Sequence, residues 1–303
     1  MHDHVHGHDT SNRTRLAIAL GITAAILVAE VVGAVVTGSL ALLVDAAHML
    51  TDTIGLAVAL VAAALMARPP SARRTWGWQR AEVLAAGGQA TILLAVGVYA
   101  VVEGVQRLLA PPEIRPSALV LVGVVGLIGN LVAMLVLSGS RGSNLNMRAA
   151  FLEVVNDALG SVAVIVAAIV IATTGWARAD AVAGLAVAAL IVPRALVLLR
   201  ESGSILLESV PSGLDLEEVR RHILGVDHVV DVHDLHASVV ATGLPVLSAH
   251  VVLADECFSD GHALRILDHL QECVAGHFAV SVEHSTFQLE AVSHRDHEAH
   301  VHA

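Results

Sequence analysis

Residues 40–66 read LALLVDAAHMLTDTIGLAVALVAAALM, and they decide the fold. The run is long enough to cross a bilayer, which takes about 20 apolar residues in a helix. Its ionisable members are not scattered. His48 and Asp52 stand four apart, on one helix face. An ionisable group at bilayer depth is costly and marks a functional site by default. A second apolar run contains FLEVVNDALGS at 151–161 and repeats the device, with Glu153 and Asp157 at the same spacing. One imidazole and three carboxylates from two helices make a four-coordinate site for a divalent metal. A lone polar residue in a membrane helix would read as interhelical hydrogen-bonding glue, but two matched pairs point to a ligand set. The chain holds 18 His, yet His48 is the only one between residues 9 and 221. That places it deliberately.

Outward from these runs, the composition agrees. The chain has 303 residues, 55% of them hydrophobic, and a mean hydropathy of +0.72, too apolar for a soluble protein of this size. Six spans are predicted, at 16–37, 40–66, 81–108, 117–137, 149–174 and 179–199, separated by Gly38-Ser39, Pro69-Pro70, Pro111-Pro112, the stretch Ser138 to Asn146, and Gly175. All 17 basic residues are Arg. Arg13, Arg15, Arg68, Arg73, Arg74, Arg80, Arg141, Arg148 and Arg200 flank one side, whereas Arg107, Arg115 and Arg178 flank the other. The positive-inside rule puts both termini in the cytoplasm, as an even number of spans requires. The N-terminus does not read as a signal peptide.

After Arg200 the texture changes. Residues 201–303 hold 17 of the 28 acidic residues, 13 of the 18 His and only four Arg. That balance argues against nucleic acid and suits cations. The order is a helix at 215–224, strands at 229–240 and 246–253, a helix at 260–276 and a strand at 280–290, with Leu264, Leu267 and Leu270 expected to face inward on the second helix. The predicted fold class is therefore a membrane all-α bundle of six transmembrane helices followed by a small α+β domain in α-β-β-α-β order. The domains are a His-rich tail at 1–15, a membrane domain at 16–200, a C-terminal domain at 201–292 and a second His-rich tail at 293–303. Cys257 and Cys273 form no CxxC and read as buried or free thiols in a reducing compartment.

Three groups of motifs carry a resemblance. SLALLVDAAHMLTD (39–52), with Glu30 upstream, resembles the second-span signature of the cation diffusion facilitator family. WGWQRAE (76–82) resembles the opening of its third span, and NLNMRAAFLEVVNDALGS (144–161) its fifth-span signature. VHDLHASVV, LSAHVVL and VEHSTFQLE resemble three stretches of its cytoplasmic domain. The match covers nearly the whole chain in order and spacing. It implies a homodimeric exporter in a bacterial cytoplasmic membrane that moves Zn²⁺ or a similar divalent ion outward in exchange for protons, with a metallochaperone-like C-terminal domain.

The family's transport ligands fall on His48, Asp52 and Asp157 unchanged. At the fourth position, where zinc members usually have His, this chain has Glu153. With neutral His48 and three ionised carboxylates the empty set carries −3, and one Zn²⁺ leaves −1 at low dielectric, which is unfavourable. Either Glu153 keeps a proton, or the oxygen-rich set broadens selectivity from Zn²⁺ toward Mn²⁺, Fe²⁺ or Co²⁺; Cd²⁺ belongs with the expected cargoes. The resemblance implies a second, regulatory Zn²⁺ site at His233, His250, His262 and His284. A carboxylate that completes it in one branch falls on Thr286, so Glu290 or a water takes that place. Asp45, Asn130 and Asn156 read as supporting or helix-packing residues; Glu30 and Glu103 are left open between helix-end and lumenal roles. The loop at 67–80 has no His, Asp, Glu or Cys, so no metal site is expected there. His2, His4, His6 and His8 alternate, as do His300 and His302, and such tracts gather metal weakly. Two other classes compete with the antiporter: a metal-gated channel or membrane metal sensor without proton coupling, and an intramembrane metallohydrolase. The latter lacks an HExxH and is disfavoured.

Overall fold

The computed structural model describes residues 6–138, 145–259 and 261–295. Six long helices come first: α1 (His6–Thr37), α2 (Leu40–Met66), α3 (Ala81–Leu109), α4 (Pro116–Ser138), α5 (Leu145–Thr174) and α6 (Arg178–Leu206). All six are long and apolar enough to cross a membrane. Their exposed surface is largely aliphatic, with Val35, Leu60 and Leu135 between 65% and 81% accessible, a face that only lipid or another protein would cover. The helices outrun the predicted spans at several ends. α1 begins at His6 although its apolar part starts at Ala17, and α6 continues to Leu206. Hydropathy marks bilayer depth, whereas backbone hydrogen bonding carries a helix on into water.

The chain forms two compact units. One comprises the segments up to Ala57 and Gly88–Leu198; the other comprises Val58–Gly87 and the residues from Leu199 onward. In the first unit, α2 takes part in two apolar clusters. Its Ala41 and Leu42 pack with Ala34, Leu119, Val164 and Ala168 of α1, α4 and α5. Its Leu40 and Val44 pack with Leu93, Val187 and Ile191 of α3 and α6. The start of α2 is anchored electrostatically. Fully buried Asp180 of α6 accepts from Ser39 Oγ and from the Leu40 amide, the latter at 2.6 Å. Arg107 donates to the Gly38 carbonyl at 2.6 Å and stands 3.9 Å from Asp180. An acid at a helix N-terminus is favourable, and this one sets the height of His48, about 12 Å further along α2.

In the second unit a three-stranded sheet has the order β1 (Val229–Ala241), β2 (Leu244–Leu253), β3 (His284–Ala291). β1 and β2 are antiparallel. β2 and β3 are parallel, linked through α8 (His262–Gly276). α7 (Leu216–Leu224) is capped by Asp215, whose side chain accepts from the amides of Glu217 and Glu218. A 3-10 turn, Asp255–Phe258, precedes α8, and a short α9, Val292–Arg295, follows β3. The α-β-β-α-β order of the prediction is the order found. The core face of α8 agrees with the prediction at Leu267 and Leu270 and differs at Leu264. Ile266, Leu270, Cys273 and Val274 are buried, while Leu264 is 71% exposed. The buried stripe runs i, i+4, i+7, i+8 from Ile266, and Leu267 packs at its edge.

Candidate metal centres

In the first unit α2 and α5 bring their matched pairs together. His48 Nδ1 is 3.5 Å from Asp52 Oδ2, and His48 Nε2 is 3.5 Å from Glu153 Oε1. His48, Glu153 and Asp157 each offer a ligand atom within 4.8 Å of the others. A tetrahedral centre with ligands at about 2.0 Å needs edges of roughly 3.3 Å, so small side-chain movements close this set around an ion. His48 and Asp157 are buried, and Asp52 and Glu153 are partly exposed. His48 Nδ1 is buried without a hydrogen-bond partner, as suits a nitrogen kept for a ligand or proton.

Two further side chains complete the surroundings, and the sequence reading missed both. Gln89 of α3 donates to Asp52 Oδ1 at 3.2 Å. It has room because residue 55 is glycine: a Cβ there would lie 2.1 Å from the Gln89 carboxamide carbon. Arg194 of α6 donates through Nη1 to both oxygens of Glu153, at 2.9 and 3.1 Å. It follows Pro193, which lies inside α6. The pairing changes the charge count. Three carboxylates, one guanidinium and neutral His48 sum to −2, which a divalent ion neutralises. Arg194 is thus a further source of compensation for the surplus charge at Glu153, beside a retained proton or an altered selectivity. A signal existed in the sequence: Arg194 sits in the apolar run LIVPRALVLL, where the rule that singled out His48 applies equally. Of the supporting candidates, Asn156 is exposed and Asp45 and Asn130 are buried. Glu103 pairs with Arg107 at 2.8 Å, a helix-end ion pair.

The second centre is built by strand register. His233 of β1 lies opposite His250 of β2, and their rings are 5.0 Å apart. His250 faces Gln288 of β3, so Glu290, two residues on, shares that face. Buried Glu290 reaches both imidazoles, at 2.8 Å from His250 Nδ1 and 3.4 Å from His233 Nε2, and accepts from Gln288 at 2.7 Å. Asp234 joins His233 and His250 in a group with ligand atoms within 4.8 Å of one another. Its φ of 47° is left-handed, at an irregularity in the β1–β2 register, and such a bulge re-aims a side chain. His284 faces Val246, not His250, about 13 Å further along the sheet; its ring packs edge-on to Trp76 at 4.7 Å. The His262 ring lies 5.5 Å from that of His228. The structure thus gathers His233, His250 and Glu290, adds Asp234, and leaves His262 and His284 outside the group. His2, His4, His300 and His302 lie outside the described residues, and only the backbone of His6 and His8 is described. Cys257 and Cys273 are both buried; burial pushes the Cys273 thiol above its ordinary value, which suits a packing residue.

Comparison with known proteins covers both parts of the chain. The cation efflux transmembrane domain family matches residues 16–207, and the cytoplasmic domain of cation efflux proteins matches residues 211–292. The metal cation efflux system protein CzcD of Cupriavidus metallidurans is 42% identical over 287 residues, which cover 95% of this chain and 89% of the relative. The zinc transporter ZitB of Escherichia coli is 38% identical over 95% of this chain and 91% of its own length. A cadmium, cobalt and zinc/H(+)-K(+) antiporter of Bacillus subtilis is 34% identical over 97% of this chain and 93% of its own.

Proposed function

The chain belongs to the cation efflux family, transporters rather than enzymes, and on that premise we propose that it is a proton-coupled antiporter that exports Zn²⁺ from the cytoplasm through His48, Asp52, Glu153 and Asp157. The observation that carries the reading is the convergence of these four groups from two membrane helices, with Arg194 bringing their charge to the value a divalent cargo cancels. The carboxylates and His48 must be deprotonated to bind metal, so loading releases protons. On the outward side, reprotonation of the same atoms competes with the metal and discharges it. Net transport follows from alternating access, as one helix group rocks against another around a fixed site. The names of the relatives put zinc, cobalt and cadmium among the expected cargoes; Mn²⁺ and Fe²⁺ fit the oxygen-rich ligand set less well once Arg194 occupies Glu153.

The same reading places both termini in the cytoplasm of a bacterial cell and pairs two copies through the cytoplasmic domain. His233, Asp234, His250 and Glu290 hold a regulatory Zn²⁺ there, and its binding biases the transport cycle. The His-rich tails gather metal weakly.

The test is flux into proteoliposomes. Uptake of Zn²⁺, Co²⁺, Cd²⁺ and Mn²⁺ is measured with and without an imposed pH gradient. Zn²⁺ flux that rises with the opposing proton gradient supports the antiporter. Flux that follows the metal gradient alone, indifferent to protons, assigns the chain to metal-gated channels; binding without flux assigns it to sensors.

A further inference from the structure

A second set of buried oxygens lies in the first unit, apart from the four metal ligands. Glu30 comes from α1, Asp45 from α2, Asn130 from α4 and Ser161 from α5, and each is at most 2% exposed. The carboxyls of Glu30 and Asp45 lie within hydrogen-bonding reach of each other. Two glycines make the room. A Cβ on Gly126 would stand 3.0 Å from Ser161 Oγ and 3.4 Å from Glu30 Oε1, and one on Gly160 would stand 2.8 Å from both Asp45 carboxylate oxygens. Asn130 Nδ2 donates toward Ser161 Oγ at 3.4 Å. Glu30 Oε2, Asp45 Oδ2 and Asn130 Oδ1 are all buried and without a hydrogen-bond partner.

Three acceptors buried without donors are an anomaly in a native interior, where polar atoms find a partner in protein, water or ion. The chemistry of the set says which partner. Two carboxyls in contact do not both stay ionised away from water. Asp157 on α5 is the other titratable group that faces the pair, and α4 contributes Asn130 and no ionisable residue. Sharing one proton leaves a single negative charge, which one further monovalent ion cancels. All the atoms are oxygens, from carboxylate, carboxamide and hydroxyl. Such a set favours hard cations, unlike the imidazole-bearing transport site.

We propose that Glu30, Asp45, Asn130 and Ser161 form a second cation site that takes a hard monovalent ion, a proton or an alkali ion, and that this ion is the counter-ion of metal export. The inference rests on the antiport reading and adds to it where the counter-ion binds. Asp45 lies one turn before His48 on α2, and Ser161 one turn after Asp157 on α5. The two sites therefore share two helices, and an ion that shifts either helix alters both.

The test measures Zn²⁺ flux in proteoliposomes under opposed gradients of protons, potassium or sodium, for wild type, Glu30→Gln and Gly160→Ala. Zn²⁺ affinity is measured by calorimetry on the same purified full-length proteins. One of the three gradients accelerates wild-type flux about tenfold. Glu30→Gln keeps Zn²⁺ affinity but ignores every gradient, and Gly160→Ala does the same with both carboxyls retained, because its methyl displaces Asp45. Gradient responses that persist in both variants, or that vanish together with Zn²⁺ affinity, overturn the site. A wild type indifferent to all gradients defeats the antiport reading and with it the counter-ion role, but not the cation site itself. The site is then judged by binding of radiolabelled sodium, radiolabelled rubidium or dye-reported protons: loss in Glu30→Gln supports it, and equal binding in the two proteins overturns it.

Discussion

The two metal-capable centres of this chain are made by different backbone geometries. In the membrane part, ligands four apart on a helix arrive already aligned, and two such helices suffice. In the cytoplasmic domain only Asp234 is placed by a neighbour in sequence, His233. His233 and His250 meet because β1 and β2 pair in one register, and Glu290 reaches them because β3 is parallel to β2 at a particular offset. A shift of one residue would turn each side chain to the other face of the sheet. Helical spacing therefore builds a site that is local and rigid, whereas strand register builds one that answers to how the sheet is held. On the proposed function the first is a pathway for cargo and the second a sensor.

The sharpest separation between the centres is expected from their histidines. His48→Ala removes the only nitrogen of the membrane set, and Zn²⁺ flux in vesicles falls by about two orders of magnitude or more. His250→Ala leaves flux at saturating Zn²⁺ within a few-fold and shifts the metal concentration at which flux is half-maximal. Equal losses in the two variants would erase the distinction between pathway and sensor.

Arg194 is next in size. Arg194→Ala leaves Glu153 without its counter-charge, and Zn²⁺ affinity drops by about tenfold to a hundredfold. Combining it with Glu153→His, which removes the carboxylate that Arg194 neutralises, recovers most of that loss in a double-mutant cycle. Additive effects would show that Arg194 acts elsewhere. In the cytoplasmic domain, Glu290→Gln weakens Zn²⁺ binding at His233 and His250 by about tenfold, whereas His284→Ala leaves it unchanged; calorimetry on the intact protein reads both. Comparable losses would mean that β3 is held in another register when metal binds. The smallest effect is that of Gln89→Ala, which frees one oxygen of Asp52 and lowers Zn²⁺ affinity about fivefold.

These contrasts also explain what could be read in advance. Six helices, their order and the cytoplasmic α-β-β-α-β domain follow from hydropathy blocks and turn residues, because burial in lipid imposes a long and simple pattern. His48, Asp52, Glu153 and Asp157 stood out because polar atoms are rare in that background. Arg194 obeys the same rule but lies beside a proline late in a span, where an arginine is hard to tell from a helix-end charge. Gln89 carries no charge and gave no comparable signal. Asp234 depends on a left-handed backbone at an irregularity in the sheet, which residue identity does not announce. The distance of His284 from His250 is a matter of register, legible only when both strands are in place. Leu264 misled for a related reason: Leu267 and Leu270 pack on the core as their spacing suggests, but Leu264, one turn earlier, lies beyond the edge of that stripe and is exposed.

The most direct test of the central claim is Zn²⁺ flux through Asp157→Ala under an opposing pH gradient, beside wild type in matched proteoliposomes. Gradient-driven flux in wild type and none in a folded Asp157→Ala is the result expected if cargo passes through the four-ligand site. Undiminished gradient-driven flux in Asp157→Ala would contradict it and send the metal by another route.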